Sequence, residues 1–167
     1  MCGRRNIRPS FAAASASEFA ASLAKHFVGL AADADNGSAT REPAWSTPNI
    51  ITLELKTVRL RDFSTAPDGV PTLLCAPFAL HGAAVADLAP GHSLVAALRD
   101  AGLHRLFVTD WRSAAPEMSK LGIDDYLAEL NVLVDQLGGS INLVGLCQGG
   151  WMSLLYAARF PAKVQKL

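Results

Sequence analysis

No run of apolar residues in this 167-residue chain is long enough to span a bilayer, although half of its residues are hydrophobic. That combination describes one soluble globular domain with a sizeable core. Charge of one sign is also missing, because 15 Lys and Arg balance 15 Asp and Glu. The electrostatic footprint of a nucleic-acid binder is therefore absent. Cysteine is scarce: Cys2, Cys75 and Cys147 lie far apart, which argues against a disulfide framework and against a metal knuckle. A reducing cytoplasm is the simplest compartment. No internal repeat is visible, and no acidic residue precedes Glu18. Arg4, Arg5 and Arg8 before an Ala/Ser-rich run invite a targeting or twin-arginine reading. The run is only weakly apolar and is interrupted by Glu18 and Lys25, so a loose end leading into an amphipathic helix is the better expectation.

What is present begins with that helix. Phe11, Phe19, Leu23, Phe27 and Leu30 recur at helical spacing over residues 10–32. Residues 33–48, rich in Asp, Asn, Gly, Ser, Thr and Pro, read as a linker. A domain boundary is expected there, with 1–48 as helix and linker and 49–167 as the main domain. One strand is predicted over residues 52–63, closed by the turn Ala66-Pro67-Asp68-Gly69. Strands then alternate with helices. Residues 72–78 form a buried strand ending at Pro77, and Ser93 caps a helix stopped by Gly102. Residues 105–111 form the next strand. Ile123, Leu127, Leu130, Val134 and Leu137 share one face of a further helix, ended by Gly138-Gly139. Residues 141–146 form a buried strand, followed by a helix over 148–160 that Pro161 terminates. Alternating elements with nearly continuous apolar strands imply a mostly parallel sheet covered by helices on both faces. Only about four strands are expected in a domain class that usually needs roughly 250 residues. The sheet edge should be exposed and the chain is expected to be the N-terminal part of a longer enzyme, unstable or aggregation-prone alone.

The chemistry concentrates at Gly145-Leu146-Cys147-Gln148-Gly149-Gly150, directly after the apolar run 141–146. The G-x-nucleophile-x-G spacing is that of a strand-to-helix elbow, with Cys in place of the commoner Ser. Glycines on either side let strand and helix approach without a clashing Cβ. The helix aims its N-terminal dipole and N–H groups at the thiol, which favours a thiolate. A small buried hydrophobe at a strand end is the bland alternative for Cys147. The backbone N–H of Gln148 is the first candidate oxyanion donor, and the loop beginning at Phe78 or Ala79 is the candidate for the second. No Lys-Ser/Thr pair follows the glycines, which excludes a phosphate-binding loop. The G-x-G-x-x-G spacing of a dinucleotide site is absent too.

Over residues 71–167 the order of motifs resembles the polyhydroxyalkanoate synthase family and its relatives in the α/β-hydrolase superfamily. The matching segments are Leu73-Leu74-Cys75-Ala76-Pro77-Phe78, then Ala86-Asp87-Leu88 through Gly91-His92-Ser93-Leu94-Val95. Val108-Thr109-Asp110-Trp111-Arg112, Gly122-Ile123-Asp124-Asp125-Tyr126 and the Gly145–Gly150 box complete the series. The loop Ala79-Leu80-His81-Gly82-Ala83-Ala84 is smaller and less polar than in the polymer synthases, which leaves the substrate open. The resemblance implies an α/β-hydrolase fold, here without its C-terminal strands, and an acyltransferase that polymerises hydroxyacyl groups from coenzyme A thioesters. Cys147 would carry the acyl chain. The acid and histidine are expected beyond residue 167. A polyester depolymerase or esterase-type hydrolase uses the same residues with water as acceptor. A truncated, non-catalytic binding protein is the alternative of another class. The implied partner is an acyl-CoA or polyester substrate, with no resident cofactor and no metal. A second copy of the chain or a polymer-granule surface are the further partners.

Other residues carry weaker signals. His81-Gly82 invites comparison with the lipase oxyanion motif, but it lies late in its loop, and an exposed loop histidine is expected. His26, His92 and His104 do not fall where the general base of this fold falls in chain order. Asp87 and Asp110 are expected to be structural. Trp111 is expected in the core rather than lining an acyl pocket.

Overall fold

The structure, a computed structural model, describes residues 44–78 and 83–167 together with Ala21, Ser22, Ala24, Lys25 and Val28. The chain divides into two units, Met1–Arg41 and Glu42–Leu167. In the first, the five described residues are helical; the rest of the helix expected over 10–32 lies outside the described residues, as does most of the linker.

The second unit carries the sheet. Its strands are β1 (Ile50–Glu54), β2 (Val58–Asp62), β3 (Thr72–Cys75), β6 (Leu106–Trp111), β7 (Ile141–Gly145) and β8 (Val164–Lys166), with the short β4 (Asp87–Ala89) and β5 (His92–Ser93) paired separately. The main sheet has six strands in the order β1-β2-β6-β3-β7-β8. β1–β2 and β2–β6 are antiparallel, whereas β6–β3, β3–β7 and β7–β8 are parallel.

Two expectations are corrected here. The single strand expected over 52–63 is a hairpin, because the chain reverses at residues 55–57. There Leu55 N–H bonds Val58 O at 2.8 Å, and Glu129 accepts from both the Thr57 N–H and its hydroxyl at 2.8 and 2.7 Å. A reversal made by a distant carboxylate leaves no Gly or Pro signal in the sequence. With that extra strand, and with Val164–Lys166 pairing parallel to β7, the sheet has six strands rather than about four.

Three helices of the second unit connect the parallel strands: α1 (Leu94–Asp100), α2 (Ile123–Gln136) and α3 (Gln148–Arg159). Ser93 Oγ accepts from Ala96 N–H at 2.8 Å to cap α1, and Gly102 beyond its end takes φ +96°, open to glycine without strain. Asp124 and Asp125 open α2 where its dipole favours negative charge, and Gly122 N–H donates to Asp125 at 2.8 Å.

Alternation along the strands sends successive residues to opposite faces. Leu73, Cys75, Phe107 and Trp111 join Leu127, Leu130 and Leu133 of α2 and Met152 and Tyr156 of α3 in one cluster. Leu74, Ala76, Leu106 and Val108 pack with Phe63 and with Val95 of α1 in the other. β3→α1→β6 and β6→α2→β7 run in opposite directions along the sheet. Right-handed crossovers then place α1 on one face and α2 with α3 on the other. Helices on both faces of a mostly parallel sheet are what the sequence pattern predicts, and every carboxyl end of β3, β6 and β7 faces the same side. That common side is where such sheets place their chemistry.

Candidate active site

β7 ends at Gly145, and α3 starts at Gln148, so only Leu146 and Cys147 turn the chain. Cys147 has φ +54° and ψ −118°, and among the described residues it is the single non-glycine with positive φ. Such a conformation costs about 1–3 kcal/mol and persists only where the surroundings impose it. They do so through the backbone. Leu146 N–H donates to Cys75 O at 2.9 Å, Gly149 N–H to Leu146 O at 2.9 Å and Gly150 N–H to Cys147 O at 2.9 Å. The side chain of Cys147 ends up exposed, in contrast to Cys75, which is fully buried.

The glycines of the box have different duties. A Cβ on Gly149 would lie 2.6 Å from the Cys75 carbonyl carbon and closer still to its oxygen. One on Gly145 would lie 2.5 Å from the Cα of Gly150. A Cβ on Gly150 would meet only Gly145 O, at 3.9 Å, an ordinary contact. Two glycines are thus demanded by the close approach of β3, β7 and α3, and the third is not.

Gln148 is the first residue of α3 and directly follows Cys147, so its N–H has no acceptor within the helix. Its side chain is half-buried, and Oε1 is buried without a hydrogen-bond partner among the described residues. Phe78 follows Pro77 at the exit of β3, whose Cys75 pairs with Gly145. Ala79 and His81 lie outside the described residues, as does His26. Around Phe78 the structure assembles an aromatic group that the sequence does not disclose. The ring of Phe78 stands edge-on to Trp111 at 6.1 Å and to Trp151 at 5.5 Å, and 5.8 Å from Tyr126. Trp151 is one helical turn beyond Cys147 and is 41% exposed. Its spacing of four from Cys147 is the signal the sequence offers. An open apolar cleft of about 340 Å³, bounded by Val144, Gly145, Gly150, Leu154 and Leu167, lies behind the elbow.

The remaining candidates have structural partners. Asp87 is fully buried and accepts from the Thr47 N–H and hydroxyl at 2.6 and 2.8 Å. Asp110 is ion-paired with Arg61 Nε at 2.6 Å. Trp111 is buried and donates from Nε1 to Ala76 O at 2.9 Å. His104 sits 3.2 Å from the Thr65 hydroxyl, just before β6. It is therefore at the opposite end of the parallel strands from Cys147. His92, half-buried, lies in β5. Cys75 sits beneath the elbow, and burial pushes its thiol from 9.0 up to about 11 against the opposing hydrogen bonds of Ser153 and Thr109. It is a packed, protonated side chain at neutral pH. No group of three or more His, Cys, Asp or Glu among the described residues is placed to hold a metal ion, and no described helix is long and apolar enough to cross a membrane.

Comparison with protein-family models finds no match. Curated relatives do match. The chain is 32% identical over 130 residues to the poly(3-hydroxyalkanoate) polymerase subunit PhaC of Haloferax mediterranei, covering 72% of this chain and 26% of that protein. It is 41% identical over 87 residues to the PhaC subunit of Synechocystis sp., covering 48% of this chain and 23% of the relative. With the PhaC subunit of Thiocystis violacea it shares 28% identity over 171 aligned residues, covering 97% of this chain and 46% of the other. The chain thus spans about a quarter of the length of the first two relatives. Among solved structures, naproxen esterase (carboxylesterase NP) of Bacillus subtilis superposes with a TM-score of 0.51 at 17% identity, over 72% of this chain and 42% of that one. Carboxylesterase CesB of the same organism gives 0.50 at 17% identity, over 77% and 44%. At that identity the likeness speaks for the fold alone. The chain is thus similar in sequence to poly(3-hydroxyalkanoate) polymerase PhaC subunits over part of their length, and it is built on the α/β-hydrolase fold.

Proposed function

We propose that Cys147 is the acyl-carrying nucleophile of a thiol acyltransferase that joins hydroxyacyl groups from coenzyme A thioesters into a polyester. The observation that carries this is the strained, exposed Cys147 at the N-terminus of α3. A buried structural cysteine has no need of a positive φ, and Cys75 shows what one looks like in this chain. The Cys147 thiolate attacks the acyl carbon, the carbonyl electrons move onto oxygen, and collapse expels the coenzyme A thiolate, which takes up the proton the enzyme thiol released. Two thiols of matched leaving ability make the exchange nearly balanced. The hydroxyl of a second hydroxyacyl group then attacks the S-acyl carbon, forming an ester and returning its proton to the Cys147 sulfur.

During both additions the oxyanion lies beside the N–H of Gln148, with a second donor from the exit of β3 at Phe78 or Ala79. The exposed side of Trp151, edge-on to Phe78 and one helical turn from Cys147, offers apolar surface for the acyl carbons. The histidine base and its acid are proposed to come from residues outside this sequence, since Asp87 and Asp110 are engaged elsewhere and His104 faces the wrong end of the sheet. A reducing cytoplasm suits a working thiol, and a polymer-granule surface or a second copy suits a polymerising enzyme. The exposure of Cys147 also favours a second reading, a hydrolase of polyesters with water as the acceptor.

The test is intact-mass analysis of the purified chain after incubation with 3-hydroxybutyryl-CoA at about pH 9, where a thiol ionises without a histidine base. A hydroxybutyryl adduct that maps to Cys147, and is absent from Cys147→Ala, supports the acyl-carrier reading. Free hydroxyacid released from that adduct, with no dimeric ester, selects the hydrolase. An unmodified Cys147 that is still alkylated by iodoacetamide overturns both.

A further inference from the structure

Three successive residues at the carboxyl end of β6 hold the chain on both sides of residues 79–82. Thr109 Oγ1 accepts from Ala76 N–H at 3.0 Å, and Trp111 Nε1 donates to Ala76 O at 2.9 Å. Asp110 Oδ1 accepts from Ala83 N–H at 3.3 Å. All three side chains are buried. Asp110 is in turn held through its other oxygen by Arg61 Nε at 2.6 Å. Arg61 donates to Asn49 Oδ1 at 2.9 Å and lies 4.8 Å over the Trp45 ring. The fixed segment bears directly on the elbow. Cys75 O accepts from Leu146 N–H at 2.9 Å, and a Cβ on Gly149 would come within 2.9 Å of Ala76 O. Past Cys75 the backbone has left the β3 ladder, and among the described residues the Thr109 and Trp111 side chains take the place of strand partners for Ala76.

We propose that Thr109, Asp110 and Trp111 are positioning residues for acyl transfer at Cys147, holding the β3 exit at the register that aims the second oxyanion donor. The proposal rests on the reading of Cys147 as an acyl nucleophile. It makes a distinction that mere strand-end satisfaction does not. Acylation by an ester passes through a tetrahedral oxyanion, whereas alkylation at a saturated carbon develops none. Positioning residues affect the first reaction and spare the second.

The experiment measures two rates at Cys147 in the full chain at about pH 9, where a thiol ionises without the outside histidine: acylation by p-nitrophenyl butyrate, followed by nitrophenolate release, and alkylation by iodoacetamide, followed by mass. Thr109→Val keeps the side-chain shape and removes the acceptor, and Asp110→Ala removes the hold on Ala83. Both are expected to slow acylation by about tenfold or more while alkylation is unchanged. Asp110→Asn, whose carboxamide oxygen still accepts from Ala83, is expected to recover most of the loss. If Asp110→Ala fails to fold because the buried Arg61 loses the Asp110 carboxylate, Thr109→Val decides. Equal loss of both rates, or acylation at the parent rate in Thr109→Val, overturns the proposal. A parent chain that is alkylated but never acylated fails one step earlier, at the nucleophile reading itself.

Discussion

Cys147 holds the most expensive backbone conformation among the described residues, and the exposure of its side chain means that little burial compensates for it. The φ of +54° and ψ of −118° belong to a region that L side chains rarely adopt. Three backbone hydrogen bonds around the turn maintain it. Glycine has no Cβ to strain, so Cys147→Gly is expected to raise the unfolding free energy by about 1 kcal/mol while abolishing acylation. Urea titration measures the first and adduct mass the second. A variant less stable than the parent would show that the turn carries no strain. The same reasoning separates this cysteine from Cys75, which is buried and packed in the core.

At the scale of elements, the elbow is a contact between β3, β7 and α3 in which glycine stands where backbones nearly touch. Gly149→Ala drives a methyl into the Cys75 carbonyl, and a loss of about 3 kcal/mol or more is expected. Gly150→Ala meets nothing closer than 3.9 Å. In a helix it gains up to about 1 kcal/mol of propensity, so thermal melting should show it at or above the parent. A reversed order would mean that the sheet and helix are not so closely packed. The β1–β2 hairpin offers a parallel case, because Glu129 of α2 accepts both Thr57 donors at its turn. Glu129→Leu leaves those donors unmatched and is expected to cost about 2 kcal/mol, with Glu129→Gln retaining most of the stability. Denaturant midpoints of the two variants check this. α3 itself is apolar around most of its circumference, with Met152 and Tyr156 in the core and Leu154 61% exposed.

For the molecule as a whole, the two clusters on either side of the sheet make stability depend on groups buried in their uncharged forms. Burial raises the Cys75 thiol from 9.0 to about 11. Burial, and then the charge of Asp135, raises the Tyr156 phenol as well. The sign follows from proton binding. Above pH 9 the unfolded Cys75 thiol loses its proton while the folded one keeps it, so the unfolded state binds fewer protons and stability falls as pH rises. The contribution is intact below pH 9 and is lost through about pH 11, on the order of 2–3 kcal/mol. Tyr156 adds a loss of the same sign beginning above its ordinary 10. Unfolding free energies between pH 8 and 11 should decline, Cys75→Ala should flatten the pH 9–10 segment, and Tyr156→Phe only the later one. A flat profile in the parent would contradict the burial of both groups.

The local elements were legible because their signals are local. Ser93 and Gly102 bound α1, the apolar stripe from Ile123 marks α2, and the continuous run at 141–145 marks a strand buried on both faces. The elbow was legible for the same reason: its spacing is a short-range steric requirement, written in residues 145–150. The β1–β2 reversal was not, since it depends on a carboxylate 72 residues away at Glu129. Nor was the aromatic group at Phe78, or the hold of Thr109, Asp110 and Trp111 on Ala76 and Ala83, because each joins segments that meet only when parallel strands are placed side by side. The amino-acid sequence by itself determined the alternation of strands and helices, the parallel sheet and the position of a cysteine on a tight strand-to-helix turn. Strand order, the six-stranded extent of the sheet, the demand for glycine at 145 and 149 but not 150, and the partners of Asp87 and Asp110 were decided by tertiary structure alone. The physical reason is that packing and buried hydrogen bonds act over a few ångströms of space, whatever the separation along the chain.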